Sequence, residues 1–292
     1  MTRNHSQVSR PLPEIGVGAM PFSLPGADVS RAAEVWHRAF DLGLTLINTA
    51  DAYAPSPEEY GHNERLVGEA VRAYGREQIV VVTKVGHTRG IPDWGRNNTA
   101  EYLLPAAEGC SARLGFVPDA ILLHRRDRSV PLAHAVEAMM EIKSRGLAHH
   151  VGFSNIHRYE LDEAWELSGG GISFVENERS PRYRDDADVL ERCDELGIAY
   201  LAWSPLGGGQ DAARLGEFFP AFAEVGEVHD ATAQEVALAW LLAQANAMVP
   251  IPAFTRESTA ESTATAAFLQ LDDEDLAYLN ASAPGPGSLY PD

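Results

Sequence analysis

Cysteine is scarce in this sequence: two residues, Cys110 and Cys193, in a chain of 292. Both fall in helical patterns among apolar neighbours, with no Cys-x-x-Cys spacing and no adjoining histidine. That excludes a disulfide framework and a cysteine-ligated zinc site, and no metal site of any kind is expected; buried, reduced thiols are. Long apolar runs are lacking as well. No stretch reaches the roughly 18 apolar residues of a membrane-crossing helix, and the segment MTRNHSQVSRPLP has no apolar core of the kind a signal peptide carries. Basic residues are few: 23 Lys and Arg stand against 42 Asp and Glu, a formal net charge of −19. Such a field repels the phosphates of nucleic acids and of anionic membranes, so neither is an expected partner. A solvated acidic surface on a cytoplasmic protein is the expectation.

What is abundant is apolar material, 45% of the chain, enough for one large buried core. It comes in alternation. Strand-like runs are read at Glu14–Ala19, up to Asn48, at Gln78–Thr83, up to His124, and at Ala148–Phe153, Ile172–Glu176, Ile198–Trp203 and Met248–Ile251. Helical patterns fall between them: Asp28–Leu42, Asn63–Tyr74, Thr99–Leu114, Leu132–Arg145, Tyr159–Leu167, Asp186–Leu196 and Thr232–Gln244, then Ser258–Phe268 and Asp272–Asn280. Glycines at 43, 75, 115, 146 and 197 stop helices. Eight βα repeats in a chain of this length predict a single (β/α)8 TIM barrel over residues 14–292, preceded by a loose arm over 1–13. Two long loops are expected, from Gly86 to Asn98 (holding Pro92, Trp94 and Gly95) and from Gly207 to Gly226. A doubly wound sheet would carry a Gly-rich turn after its first strand; GVGAMP at 16–21 is not that turn. The two glycines there predict close approach of something to the strand.

The chain is organised around Leu46 to Gly68. An apolar run ends in Asn48, Thr49, Asp51 and Tyr53, a loop follows, and a helix opens near Gly61. In a barrel of this kind the carboxyl ends of the strands carry the chemistry. Three successive strands end in Tyr53, Lys84 and His124. A tyrosine beside a cation works as a general acid, because the positive charge lowers its pKa. A histidine next to it would hydrogen-bond a substrate oxygen or relay a proton.

These residues resemble the aldo-keto reductase superfamily. The matching segments are NTADAY at 48–53, TKVG at 83–86, LLHRRD at 122–127, VGFSN at 151–155, WSPLG at 203–207 and PIP at 250–252, in the family's order along nearly the whole chain. The resemblance implies NADPH (NADP+) as cofactor and a small-molecule carbonyl compound as substrate. It implies that Tyr53 gives a proton to the carbonyl oxygen, supported by Lys84 and His124. It places Ser154, Asn155 and position 176 at the nicotinamide carboxamide, Trp203 against the nicotinamide ring with Ser204 and Leu206 following, and Arg256 at the 2′-phosphate.

Three departures touch that chemistry. The family's aspartate five residues before the tyrosine is Asn48, which leaves Lys84 a buried cation without a carboxylate unless Asp51 substitutes. The usual glutamine is Glu176, which either meets the cofactor or pairs with Arg179. The Glu-Asn pair expected at the adenine is Ser262-Thr263, so weaker NADPH binding than is typical of the family is expected. A carbonyl reductase (or the reverse oxidation) is the main reading. The alternative is a non-redox enzyme of the same fold, using the same Tyr, Lys and His for dehydration, elimination or cyclisation. A non-enzymatic binding subunit is the third, against which the retained triad argues. The oligomeric state is left open.

Overall fold

The apolar runs resolve into eight parallel strands in a computed structural model that describes residues 2–89, 94–288 and 290. They are β1 (Val17–Gly18), β2 (Leu46–Asn48), β3 (Val80–Val85), β4 (Ala120–Leu123), β5 (His150–Ser154), β6 (Phe174–Glu178), β7 (Ala199–Trp203) and β8 (Met248–Pro250). Each strand hydrogen-bonds its sequence neighbour. The ring closes where the amides of Gly16 and Gly18 donate to the carbonyls of Pro250 and Pro252, both at 2.9 Å. This is the expected (β/α)8 barrel. The closure also explains the two glycines: a Cβ on Gly16 would stand 2.7 Å from Leu46 Cδ2, and one on Gly18 only 3.0 Å from the Ala253 Cβ.

Strand alternation sorts the side chains. Leu46, Val80, Val82, Ala120, Leu122, Phe174, Leu201 and Val249 point inward and fill the barrel. Their neighbours Ile47, Val81, Ile121 and Val151 point outward beneath the helices, as a period of two requires. Helices α1 (Ala32–Asp41), α2 (His62–Tyr74), α3 (Ala100–Leu114), α4 (Leu132–Ser144), α5 (Arg158–Leu167) and α6 (Ala187–Leu196) alternate with the strands.

Three sequence expectations give way. Residues 2–13 are not a loose arm. Thr2–Arg3 pairs antiparallel with Leu12–Pro13, and Leu12, fully buried, joins the apolar filling of the barrel. Arg3 locks the hairpin by donating to Glu14 at 2.5 Å and to the Ala245 carbonyl at 2.6 Å. The segment 87–96 carries a second hairpin, His87–Arg89 with Trp94–Arg96; Pro92 lies outside the described residues. The stretch 207–226 is helical rather than looped: α7 (Gly209–Ala212), α8 (Leu215–Phe218) and α9 (Pro220–His229). Its apolar residues supply the reason, since Leu215 and Phe222 are buried and Phe222 meets Trp240 edge-on at 5.5 Å. Helices α10 (Ala233–Leu242), α11 (Glu257–Ala266) and α12 (Asp273–Ala281) complete the chain. Among the described residues no helix is long and apolar enough to cross a membrane.

Candidate active site

The loop after β2 is held against β3 by its own backbone. The amide of Thr49 donates to the Val82 carbonyl at 2.9 Å and that of Asp51 to the Lys84 carbonyl at 3.1 Å. This brings Tyr53 over Lys84, whose Nζ lies 5.3 Å from the phenol ring centre. His124, just beyond β4, meets the Tyr53 ring edge-on at 5.6 Å. The three residues read from successive strands therefore form one cluster. Lys84 is fully buried, His124 buried and Tyr53 partly exposed.

Lys84 is not an unpaired cation. Its Nζ lies 2.9 Å from Glu176 Oε1 and donates to Glu176 Oε2 at 3.2 Å and to Asn48 Oδ1 at 2.5 Å. The Asn48 amide nitrogen in turn donates to Glu176 Oε2 at 2.7 Å. Burial alone would drive the lysine toward neutrality, but the Glu176 charge and the Tyr53 hydroxyl outweigh it and hold its pKa above the ordinary value. Asp51 does not substitute. Its buried carboxyl is turned toward Glu64 and Tyr60, and neither oxygen has a hydrogen-bond partner among the described residues; the Tyr60 hydroxyl is donated to the His87 carbonyl. Burial, then the Glu64 charge, push its pKa well up, so the neutral acid is favoured. Nor does Arg179 pair with Glu176. It lies just past the end of β6, 2.9 Å from Asp186 and 2.7 Å from Gln244 Oε1.

The tyrosine departs from expectation in one respect. Lys84 does lower its pKa, but burial raises it more and Glu176 adds to the rise, so the net shift is upward. Tyr53 holds its proton at neutral pH, the form a proton donor needs. For His124, burial comes first and neighbouring His87 second in pushing its pKa well below the ordinary value. The ring is neutral, and its Nδ1 has no partner among the described residues. His87 was not singled out in the sequence, because it sat in what read as loop. It packs 4.3 Å from His124, ring centre to ring centre.

The residues expected at the cofactor are distributed along the same rim. Ser154 ends β5 and is buried. Asn155 (φ 56°) and Ser204 (φ 46°) both hold the left-handed backbone region just past strand ends, a strain that clusters at functional sites. Asn155 Nδ2 donates to the His124 carbonyl and to Ser154 Oγ, both at 3.0 Å. Trp203 is partly exposed, its indole nitrogen has no partner among the described residues, and its ring meets Tyr290 at 5.7 Å. Leu206 packs into the core. Arg256 stands exposed at the N-cap of α11. Ser262 donates to Glu235 at 2.8 Å and Thr263 is buried, so both are spent on helix packing. A cavity of about 630 Å³ opens beside Trp203, lined also by Asn155, Tyr183, Ser288 and Tyr290. A second, of about 700 Å³, lies between α6, α10 and α12 and touches none of the clustered groups. Sequence reading missed the strap formed by Ser288, which donates to Glu178 at 2.5 Å, and Tyr290, whose carbonyl accepts from Arg125 at 2.9 Å.

A barrel that gathers a tyrosine, a lysine and a histidine at its strand carboxyl ends has the layout of a (β/α)8 enzyme. A model of the Aldo/keto reductase family matches residues 14–284. An aldo-keto reductase of Gibberella moniliformis is 27% identical, the match covering 91% of this chain and 88% of that one. The crystal structure of a thermostable aldo-keto reductase, Tm1743, with the inhibitor epalrestat superimposes with a TM-score of 0.81 at 28% identity, covering 96% of this chain and 99% of the other. An aldo/keto reductase from Klebsiella pneumoniae in complex with NADP and acetate gives a TM-score of 0.77 at 26% identity, covering 92% and 91%. The chain belongs to the aldo/keto reductase family and is an oxidoreductase.

Proposed function

We propose that the protein reduces an aldehyde or ketone with NADPH, or runs the reverse oxidation, with Tyr53 as the proton donor. The observation that carries this reading is the single cluster of Tyr53, Lys84 and His124 at the carboxyl end of three successive strands. The side chains fit the cofactor. Trp203 offers a flat, partly exposed indole whose N–H has no partner among the described residues, suited to stacking on an aromatic ring. Asn155 lines the same cavity and donates to Ser154 Oγ at 3.0 Å, and Ser204 and Leu206 follow Trp203 in the chain. Arg256 offers an exposed guanidinium at a helix N-terminus, where a phosphate is favoured. When bound, NADPH supplies the hydride.

The chain's own residues do the rest. The Tyr53 hydroxyl passes its proton to the substrate oxygen as negative charge develops there. The Lys84 ammonium, behind the phenol, stabilises the phenolate that remains. A neutral His124 ring nitrogen hydrogen-bonds the same oxygen and orients the carbonyl. The Trp203 cavity, closed on one side by Tyr290, takes the rest of the substrate. With Ser262 and Thr263 tied into helix packing, the adenine end has fewer partners, which supports weaker NADPH binding than is typical of the family.

The non-redox alternative rested on the departures at Asn48, Glu176 and Ser262-Thr263; the Glu176 carboxylate beside Lys84 answers the first of them and favours the reductase. The test is fluorescence titration with NADPH, followed by NADPH consumption with an activated aldehyde. Binding with turnover supports the reductase; turnover of a physiological substrate without NADPH would sink it.

A further inference from the structure

We propose that Glu176 is the positioning residue that keeps Lys84 charged and aimed at Tyr53, and that Asn48 and Glu176 work as a matched pair whose identities can be exchanged only together. The proposal rests on the reading of Tyr53 as proton donor. It deepens that reading by assigning Glu176 to the proton donor's support rather than to the cofactor.

The geometry is specific. Three side chains from three strands, Asn48 on β2, Lys84 on β3 and Glu176 on β6, meet at 3% exposure or less. The lysine donates to Asn48 Oδ1 and to the Glu176 carboxylate, and its Nζ lies 5.3 Å from the centre of the Tyr53 ring. Asn48 is the one member that both accepts and donates. Its Oδ1 accepts a hydrogen bond from Lys84 while its Nδ2 donates one to Glu176 Oε2. An aspartate there could accept but not donate, and would set two carboxylates about as close as the present 2.7 Å contact. Like charges at that distance do not both ionise, so one carboxylate would take up a proton and donate it to the other, and the pair would share the single negative charge that Glu176 now presents to Lys84 alone.

The opposite change fails for a different reason. Glutamine at 176 would leave the buried ammonium with no anion within reach. Desolvation would then drive Lys84 toward the neutral amine, and a neutral amine does not stabilise a phenolate. Changing both positions, to Asp at 48 and Gln at 176, keeps one carboxylate, one amide and one ammonium. The new amide can donate to the new carboxylate, so the network closes again with its sense reversed.

The chain makes the ionisation directly readable. Lys84 and Lys143 are its only two lysines, and Lys143 is spoken for by the Gly171 carbonyl on the barrel's outside. Lysine-selective nitrogen NMR of the whole protein therefore reports the Lys84 Nζ without crowding. Four proteins are compared: wild type, Glu176→Gln, Asn48→Asp, and the double variant Asn48→Asp/Glu176→Gln.

The expected result is an ammonium signal at neutral pH in the wild type and the double variant, and a lowered Lys84 pKa in Glu176→Gln. NADPH-dependent reduction should fall about 100-fold or more in each single variant, a loss of general-acid size. In the double variant it should recover to within about tenfold of wild type, and the alkaline limb of its pH profile should return. A Glu176→Gln protein with unshifted Lys84 and full activity would overturn the proposal. So would a double variant that adds the two losses. If Glu176→Gln does not fold, Glu176→Asp replaces it: the charge is kept but drawn back, and it must retain a charged Lys84 with reduced turnover. If the wild type consumes no NADPH, the reductase reading fails, while the lysine spectra still decide the pairing.

Discussion

His87 stands edge-on to His124, ring centres 4.3 Å apart with the planes at 77°. Burial holds His87 down to about pKa 4 and His124 well below its ordinary value, each ring's neighbourhood opposing a second positive charge. The His87 carbonyl accepts from the hydroxyls of Tyr60 and Tyr102, both at 3.0 Å, and its Nδ1 meets the Gly95 carbonyl at 3.2 Å. The hairpin Trp94–Arg96 thus rests on the wall of the site through this histidine. His5, in the N-terminal hairpin, is likewise lowered to about 4 by burial, with Arg3 next.

These three histidines set an acid limit on stability. In the unfolded chain each takes up a proton near pH 6.5, whereas in the folded chain it does so only well below that. Between about pH 6.5 and 4 the unfolded state therefore binds more protons, and stability falls as pH falls, by about 1.4 kcal/mol per unit for each histidine that stays neutral. Denaturant unfolding across this window should show the slope, and His87→Gln should flatten it. A slope unchanged by that substitution would mean that His87 titrates normally in the folded protein.

Tyr53→Phe tests the proton donor. The ring, its contact with His124 and the Lys84–Glu176 pair all survive the loss of one hydroxyl. NADPH affinity and the unfolding midpoint should stay close to wild type while reduction falls by about 10² to 10⁴, the range of general acid catalysis. Retained turnover would move the acid role to His124.

Much of this site was legible in the sequence because a barrel strand announces its own end. The β-branched run 79–82 stops at a polar pair, and the run 120–123 stops at His124, so both residues were read near strand carboxyl ends; His124 does follow β4, while Lys84 lies one residue inside the end of β3. What crosses the barrel was not legible. Lys84 and Glu176 are 92 residues apart, and strand periodicity says which end a side chain occupies but not which residue it faces. Hence Asn48 and Glu176 read as two separate departures when they are one contact. The strand boundary added to this, since β6 runs on to Glu178 and Glu176 lies inside it. The helices α7 to α9 were hidden by their glycines, and the buried role of Leu12 by the polar residues around it.

Leu12 gives the stability test. The N-terminal hairpin sends it into the barrel, where it packs with Leu46, Val80 and Phe174 as a fully buried residue, with Val8 partly buried against the same cluster. Leu12→Ala should cost about 2 to 5 kcal/mol, the usual range for a leucine removed from a close-packed core. The loss should appear as a lower denaturation midpoint with an unchanged slope. Catalysis per folded molecule should be unaffected, because the hairpin closes the end of the barrel away from Tyr53. A loss below about 0.5 kcal/mol, the scale of ordinary surface substitutions, would show that the hairpin detaches without consequence.

The expected preference for NADPH over NADH is tested at Arg256. It caps α11 in extended conformation (φ −134°, ψ 141°) with its side chain exposed, so the guanidinium and the free amides of the first helical turn face the same solvent. Glu257, the acid in that turn, is drawn off by Arg31 at 3.3 Å, which leaves the positive end of the helix less opposed. A 2′-phosphate placed there would gain a charge-assisted hydrogen bond and the helix field, together about 1.5 to 3 kcal/mol. NADH carries no such phosphate. Arg256→Ala should therefore raise the dissociation constant of NADPH about tenfold or more, leave that of NADH within a few-fold, and reduce the salt dependence of NADPH binding. The measurement is a pair of fluorescence titrations at low and high salt. Equal losses for the two coenzymes would mean that Arg256 supports the α11 terminus and does not read the phosphate.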